Sequence, residues 1–150
     1  TRMRYYSIAL NYFEEGKSVK TKLWIGRLMS GIAILFLLMD GVMKFFMDKL
    51  PPEALEAGAA LQWPMELMPT VGTILLLCLA LYLIPRTSIL GAVMLTGYLG
   101  GAVATHVRVG SPLFSHVLFG VYIGVMMWGG LWLRDPRLRA LFPFAQETPR

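Results

Sequence analysis

Four long apolar stretches, separated by short segments rich in proline, glycine or charge, dominate the pattern of the chain. A membrane's hydrocarbon core is about 30 Å thick, so a helix needs about 20 mostly apolar residues to cross it. The four stretches cover residues 23–47, 67–84, 89–107 and 113–133. The last three contain no Asp, Glu, Lys or Arg, whereas the first contains Arg27, Asp40 and Lys44. The pattern therefore predicts four membrane-spanning helices.

The connections between the spans indicate how the spans are arranged. The segments IPRTS and VRVGSP are short, which favours antiparallel neighbours. The longer segment DKLPPEALEAGAALQWP contains a predicted short helix that starts near Pro52 and runs to about Leu61. We therefore predict an all-α fold: an integral membrane four-helix bundle with antiparallel spans and a short helix in the loop between spans one and two.

The predicted organisation has three parts. Residues 1–22 form an N-terminal cytoplasmic or interfacial segment, for which a disordered tail is the alternative. Residues 23–133 form the four-span membrane domain, and residues 134–150 form a basic cytoplasmic tail.

Composition and charge agree with a membrane protein and add an orientation. Of 150 residues, 56% are hydrophobic and 15% are charged, which is unusual for a soluble chain. Lys and Arg are retained on the cytoplasmic side of a membrane. They are concentrated before span one, between spans two and three, and after span four. Both termini are therefore predicted to be cytoplasmic. The net charge of +5 then reflects topology and attraction to anionic lipids rather than nucleic-acid binding.

The charges in span one lie on a helical stripe. At 100° per residue, this stripe is small or polar except for one leucine. Its members are Gly26, Ser30, Ala33, Leu37, Asp40, Gly41 and Lys44. Such residues face other helices in a membrane rather than lipid. Asp40 and Lys44, four residues apart, are placed to form an ion pair.

Further ionisable residues are expected at the same depth. Asp40 lies about 26 Å from the inner end of span one, near the outer boundary of the hydrocarbon core. Antiparallel spans bring four more ionisable residues to this level: Glu66, His106, Arg108 and His116. These six residues form a predicted polar outer pocket that binds a ligand. The alternative is that they only anchor helix ends or satisfy one another.

Small residues predict where spans three and four pack closely. Gly120 and Gly124 have GxxxG spacing in span four, and Gly97 and Gly101 repeat that spacing in span three. With Gly26 and Ser30 of span one, these are the predicted helix-packing positions. A helical wheel places His106 opposite the Gly97 stripe and does not turn His106 and His116 toward each other.

Several chemistries are disfavoured by the residues present. A disulfide relay needs a pair of cysteines, and the chain has only Cys78. The spacing of His106 and His116 matches no metal or haem motif, so no metal site is expected. The glycines lie within spans rather than in a phosphate-binding loop. No catalytic residue can be assigned, and an isolated chain is not expected to be an enzyme.

The segments MDGVMK and LTGYLGGAVATHVR resemble the bacterial DoxX-like family, and the similarity runs from about residue 23 to residue 143. The resemblance implies a four-helix protein of the bacterial inner membrane. It also implies association of some relatives with quinone-linked or sulfur-related oxidoreductases, or with oxidative-stress complexes. It supplies no catalytic residues. It marks as candidates Asp40, Lys44, Tyr98, His106, Arg108 and His116.

Two functions follow as hypotheses. The first is an accessory or assembly subunit of a larger membrane complex of redox or bioenergetic type, with membrane lipids and other membrane subunits as partners. The alternative is a component of an oxidoreductase that binds a quinone or a lipid in the outer pocket, without an intrinsic cofactor. A transporter is less favoured, because charges cluster at the span ends and leave no continuous polar path.

Overall fold

The computed structural model describes residues 2–141, with side chains from residue 16 onward except those of residues 48, 54 and 57. This part of the chain contains six α-helices and no strand. The helices are α1 (Arg2–Met43), α2 (Pro52–Ala59), α3 (Met68–Leu83), α4 (Ser88–Arg108), α5 (Phe119–Arg134) and α6 (Pro136–Leu141). Short 3₁₀ segments cover Met47–Lys49 and Met65–Leu67, and a π-helical segment covers Leu113–Val117.

Four helical stretches are long and apolar enough to cross a membrane, as predicted. They are Gly16–Met43, Met65–Leu83, Ser88–Arg108 and Leu113–Arg134. The predicted short helix between the first two spans is α2, which starts at Pro52, where a missing N–H costs no helical hydrogen bond. The chain is therefore an all-α four-helix membrane bundle.

The first helix differs from its predicted limits. It ends at Met43 rather than at residue 47, because the amides of Phe45 and Phe46 close a turn on the carbonyls of Val42 and Met43. It is also continuous back to Arg2, so no break in the backbone marks the predicted boundary at residue 22. Side chains 16–22 are exposed. Of the predicted basic tail, residues 142–150 lie outside the described residues.

The four spans pack in a ring. Helix α1 packs on α5 and α3, and α4 packs on the same two helices, so α1 and α4 face each other across a diagonal. The bundle has two ends. The end that contains the α3–α4 turn and α6 is called the terminal end. The end that contains the last residues of α1 and helix α2 is called the loop end.

The closest helix contacts lie near the terminal end, and a further close contact, between Gly41 of α1 and Gly72 of α3, lies toward the loop end. A Cβ atom on Gly130 of α5 would lie 2.8 Å from the carbonyl oxygen of Gly26 on α1. A Cβ atom on Gly91 of α4 would lie 2.6 Å from the backbone of Leu81 on α3. Real Cβ atoms do not approach so closely, so both contacts require glycine. The two antiparallel pairs α1–α5 and α3–α4 thus meet backbone to backbone.

The predicted stripe on α1 faces the other helices. Gly26, Ser30, Ala33, Leu37 and Gly41 are all buried, and Asp40 and Lys44 are partly buried. In α5, Gly120 is buried, and a Cβ atom there would lie 3.0 Å from Val103 of α4. Gly124 lies against Leu99 of the same helix. These residues of α1 and α5 therefore lie at contacts between helices.

Gly97 and Gly101 do not pack against another helix within residues 16–141, contrary to the prediction. Both residues are exposed, and no heavy atom lies within 4 Å of a Cβ atom built on either. The α4 residues that pack inward are instead Ala92, Leu95 and Leu99. A stripe of small residues permits close approach but does not say which surface approaches it.

A buried polar contact joins three helices toward the terminal end of the bundle. The hydroxyl of Tyr82 on α3 donates to the carbonyl of Met127 on α5 at 2.9 Å. Its oxygen lies 3.0 Å from the hydroxyl of Ser30 on α1. Since tyrosine has one hydroxyl hydrogen, Ser30 donates to Tyr82. All polar atoms of this buried contact therefore have partners.

Candidate functional site

A cavity of about 530 Å³ lies inside the loop end of the bundle. Helices α1, α4 and α5 form its walls, and the segment that contains α2 contributes to the side nearest the loop. Most of the lining is apolar and includes Phe36, Leu37, Leu61, Trp63, Phe119 and Ile123. A cavity of this size and character is typical of small-molecule sites, which combine apolar walls with a few placed polar groups.

The ion pair predicted from the sequence forms on the cavity wall. The Nζ atom of Lys44 donates to Oδ1 of Asp40 at 2.6 Å. The Lys44 side chain is 16% exposed and that of Asp40 is 46% exposed. Because α1 ends at Met43, Lys44 turns back onto the last helical turn instead of extending outward. The carboxylate is therefore the more accessible partner.

Tyr98 approaches the same carboxylate from the opposite helix. Its hydroxyl donates to Oδ2 of Asp40 at 3.4 Å, across the diagonal between α4 and α1. A carboxylate offers about four acceptor positions, so two donors leave Asp40 able to accept from a ligand. The ammonium of Lys44 has three hydrogens and donates one to Asp40. This group of three residues can thus both donate to and accept from a bound molecule.

Two histidines face each other at the loop end. The ring centroids of His106 and His116 are 5.7 Å apart, with the planes inclined by 62°. The Nδ1 atom of His106 lies 3.0 Å from the Ser111 hydroxyl, and that of His116 lies 2.8 Å from the Ser115 hydroxyl. Both rings line the cavity. Among the described side chains, neither Nε2 atom has a hydrogen-bond partner, so each remains available to a ligand.

The juxtaposition of the histidines corrects the helical-wheel prediction. After α4, Gly110 adopts a φ of +69°, and the amide of Ser111 bonds back to the carbonyl of His106. The chain then enters the π-helical segment, in which Val117 donates to the carbonyl of Pro112. A π turn holds more residues than an α turn and so rotates the side chains that follow. A wheel drawn with α-helical spacing cannot show this rotation.

Of the six ionisable residues predicted to converge, the structure brings four to the cavity. Asp40, Lys44, His106 and His116 line the cavity. Glu66 is exposed in the 3₁₀ segment before α3 and is not part of the lining, so its assignment to the pocket is wrong.

Arg108 also lies outside the cavity but contacts the segment beside it. Its guanidinium donates to the carbonyl of Leu61 at 2.8 Å. Leu61 lies in the connection between α2 and α3, just before Gln62, which has a φ of +58°. Leu61 and Trp63 of this connection line the cavity. Arg108 therefore fastens the α2–α3 connection to the end of α4. Arg108 is therefore placed to support the cavity rim without lining the cavity.

Tyr98 is a polar cavity residue that the pocket prediction omitted. The family resemblance marked it as a candidate, but no spacing rule linked it to Asp40, which lies 58 residues earlier. A tyrosine at mid-span with small neighbours at Gly97 and Gly101 was the available signal.

Within the described part of the chain, the histidine pair has no further metal-binding residues beside it. Among residues with described side chains, no group of three or more His, Cys, Asp or Glu is close enough to hold a metal ion. The polar groups of the cavity are suited to hydrogen bonding instead.

Fold and cavity together define a multi-pass α-helical membrane protein with a mostly apolar cavity inside one end of its bundle. The chain belongs to the DoxX-like family, whose model matches residues 28–130. The match covers all four spans except the first part of α1 and the end of α5. Neither the curated proteins nor the solved structures contained a match.

Proposed function

We propose that this DoxX-like protein binds an amphipathic membrane ligand, a quinone or a lipid, in the cavity at the loop end. The observation that carries the proposal is the polar group Asp40–Lys44–Tyr98 on the wall of an otherwise apolar 530 Å³ cavity. A ligand with a carbonyl or hydroxyl head group and a hydrocarbon tail matches that combination.

The hydrogen-bonding groups suit a quinone-type head group. A carbonyl oxygen requires a donor, which Lys44 supplies, and a reduced hydroxyl requires an acceptor, which Asp40 supplies. The free Nε2 positions of His106 and His116 add a second polar contact region. Binding of either redox form is therefore supported without an intrinsic cofactor.

The cavity also has a route for a hydrocarbon tail. Its lining includes Phe36, Gly97 and Gly101, which are exposed, so we place the mouth of the cavity beside them, facing the bilayer. In a membrane this face contacts acyl chains, and the two glycines present no side chain that would close it. A tail can therefore extend from the cavity into the bilayer.

Quenching of tryptophan fluorescence by a short-chain ubiquinone analogue tests the proposal, because Trp63 lines the cavity. The full chain in mild detergent is titrated, and Asp40→Asn and Tyr98→Phe are compared with Glu66→Gln. We expect Asp40→Asn to weaken binding by about 10-fold, as for loss of a charged hydrogen-bond acceptor. Glu66→Gln removes a carboxylate outside the cavity and should leave binding unchanged.

Equal binding by wild type and both cavity variants would refute the proposal for quinones. A parallel analysis of lipids retained on purification decides the ligand class: a neutral lipid lost in Asp40→Asn, with no quinone response, assigns the cavity to lipid.

A second candidate function is an accessory subunit of a larger membrane complex of redox or bioenergetic type. It is favoured by the exposed α4 residues Gly97, Gly101 and Ala104, which form a small-residue face of the kind that docks a neighbouring helix. Gentle extraction followed by native mass spectrometry tests this role. A partner of fixed stoichiometry that is lost in Gly101→Leu, but not in Gly16→Leu on α1, would establish it.

We further propose that the protein lies in a bacterial inner membrane with both termini in the cytoplasm. The support is the concentration of Lys and Arg at the terminal end, including Arg86, Arg134, Arg137 and Arg139. The cavity then opens toward the outer leaflet.

A further inference from the structure

A second cleft, of about 330 Å³, lies at the terminal end of the bundle. It is bounded by α1, α3, α5, the α3–α4 turn and the start of α6. Three arginines line it: Arg27, Arg134 and Arg137. Helix α4 begins at Ser88, also in the lining, so the positive end of its dipole lies at the same place.

Asp135, which carries the one carboxylate among the lining residues, forms an ion pair with Arg137. The Nε atom of Arg137 lies 3.2 Å from Oδ1 of Asp135, and a terminal nitrogen of the same guanidinium lies 2.9 Å from Oδ2. Arg137 also donates to the carbonyl of Pro85 at 3.0 Å. Asp135 therefore neutralises Arg137, and the charges of Arg27 and Arg134 have no carboxylate among the described side chains.

Arg134 is held in place with a donor unused. Its guanidinium carbon lies 5.3 Å from the ring centroid of Tyr82, a cation–π contact that orients the group. Its Nε atom is buried and, within the described part of the chain, has no hydrogen-bond partner. A buried N–H without an acceptor is unfavourable, so the site is incomplete without a molecule that supplies one.

We propose that this cleft binds a phosphate group, and that the phosphate belongs to an anionic phospholipid of the surrounding leaflet. The planar fork of an arginine binds phosphate through two parallel hydrogen bonds, and Nε–H is one member of that fork. The cleft holds the uncompensated charges of two arginines, which attract an anion. Leu83, exposed beside the cleft, lies where an acyl chain would follow the headgroup. The site is separate from the cavity and does not depend on its ligand.

Titration with phosphatidylglycerol, followed by native mass spectrometry of the delipidated full chain, tests this site. Phosphatidylcholine serves as the zwitterionic comparison, and inorganic phosphate as the competitor. We expect one phosphatidylglycerol to bind tightly. Arg134→Gln should weaken it by at least about 10-fold, as expected for loss of a bidentate charged contact. Arg134→Lys, which keeps the charge but lacks the Nε–H, should also bind more weakly than wild type.

The matched control is Arg86→Gln. Arg86 is exposed on the same α3–α4 turn but does not line the cleft, so its loss should leave affinity unchanged. Arg27→Gln provides a second test without disturbing the core, because Arg27 is exposed. We expect it to weaken binding as well.

The proposal is overturned if Arg86→Gln weakens binding as much as Arg134→Gln, or if phosphatidylcholine binds as tightly as phosphatidylglycerol. Unchanged affinity in both Arg27→Gln and Arg134→Gln also overturns it. Displacement of phosphatidylglycerol by inorganic phosphate would show that the cleft recognises the phosphate group alone, whether it comes from a lipid or is free in solution. Retention of the lipid at high phosphate assigns recognition to the lipid headgroup.

Discussion

The hydroxyl of Ser30 lies 3.0 Å from that of Tyr82, which in turn donates to the carbonyl of Met127. This chain of hydrogen bonds crosses three spans at the point where the helices are most tightly packed. Tyr82 is 1% exposed, so no solvent can replace a lost partner.

Tyr82→Phe should therefore destabilise the bundle by about 1–3 kcal/mol, because it leaves the Ser30 hydroxyl and the Met127 carbonyl without their partner. Thermal unfolding in detergent measures the effect as a lowered Tm. Tyr122→Phe, at an exposed tyrosine of α5, is the matched control and should change Tm little. Equal Tm values for the two variants would contradict a structural role for the buried hydroxyl.

Gly91→Ala should be among the most damaging single-methyl changes in the chain. The added Cβ atom would overlap the backbone of Tyr82, which cannot move without separating α3 from α4. We expect a loss of at least about 2 kcal/mol in stability or failure to accumulate folded protein, as for severe overpacking. Gly100→Ala on the same helix meets no atom within 4 Å and should be tolerated. Size-exclusion profiles of the two variants make the comparison.

Acid should weaken the junction between α5 and α6. Hydrogen bonds from Arg137 hold the pKa of Asp135 below its usual value. A lowered carboxyl pKa contributes stability above the unfolded value, about 4, and loses it as the pH falls toward the folded value. The Tm difference between wild type and Asp135→Asn should therefore be largest near neutral pH and shrink below about pH 4. A difference that stays constant down to pH 3 would show that ionisation of Asp135 does not contribute.

The orientation of the protein in the membrane can be measured with introduced cysteines, since the chain has only one cysteine, the buried Cys78. In a Cys78→Ala background, Glu53→Cys at the loop end should react in intact cells with a membrane-impermeant maleimide. Arg86→Cys at the terminal end should react only after the cells are opened. The reverse pattern would place the termini outside, contrary to the distribution of Lys and Arg.

Arg108→Gln should loosen the segment beside the cavity without changing its polar groups. The variant loses the hydrogen bond to Leu61, which is a charged contact at an exposed site. We expect the ligand's dissociation rate to rise by about 5-fold, consistent with the loss of roughly 1 kcal/mol. Stopped-flow displacement measures the rate, and Arg86→Gln controls for the removal of an exposed charge. An unchanged rate would mean that this segment does not limit release.

The spans and the inward face of α1 could be predicted because both follow from local, periodic signals. Membrane thickness sets the length of an apolar run, and the α-helical period places Gly26, Ser30 and Ala33 on one side. The Asp40–Lys44 pair follows from the same spacing.

Features that depend on irregular backbone, or on contacts between residues far apart in the chain, could not be predicted from the sequence. The meeting of His106 and His116 depends on a left-handed Gly110 and a π turn, neither of which changes the apolar pattern. Glu66 lies in a 3₁₀ segment before α3, where it is exposed and outside the cavity lining, and the α-helical spacing of span two does not reveal this. The contact of Tyr98 with Asp40 joins diagonal helices and has no signature in spacing.

The Asp40–Lys44 pair brings equal and opposite charge to the cavity wall, so its net field on an arriving molecule is small. Because the two charges of the pair already match each other, the pair offers an entering ion no net counter-charge to replace the water that the ion must leave behind. An uncharged head group gives up much less hydration and can still use both partners of the pair. If the cavity binds a membrane ligand as proposed, this pairing of charges favours neutral amphiphiles over fatty-acid anions and other charged lipids.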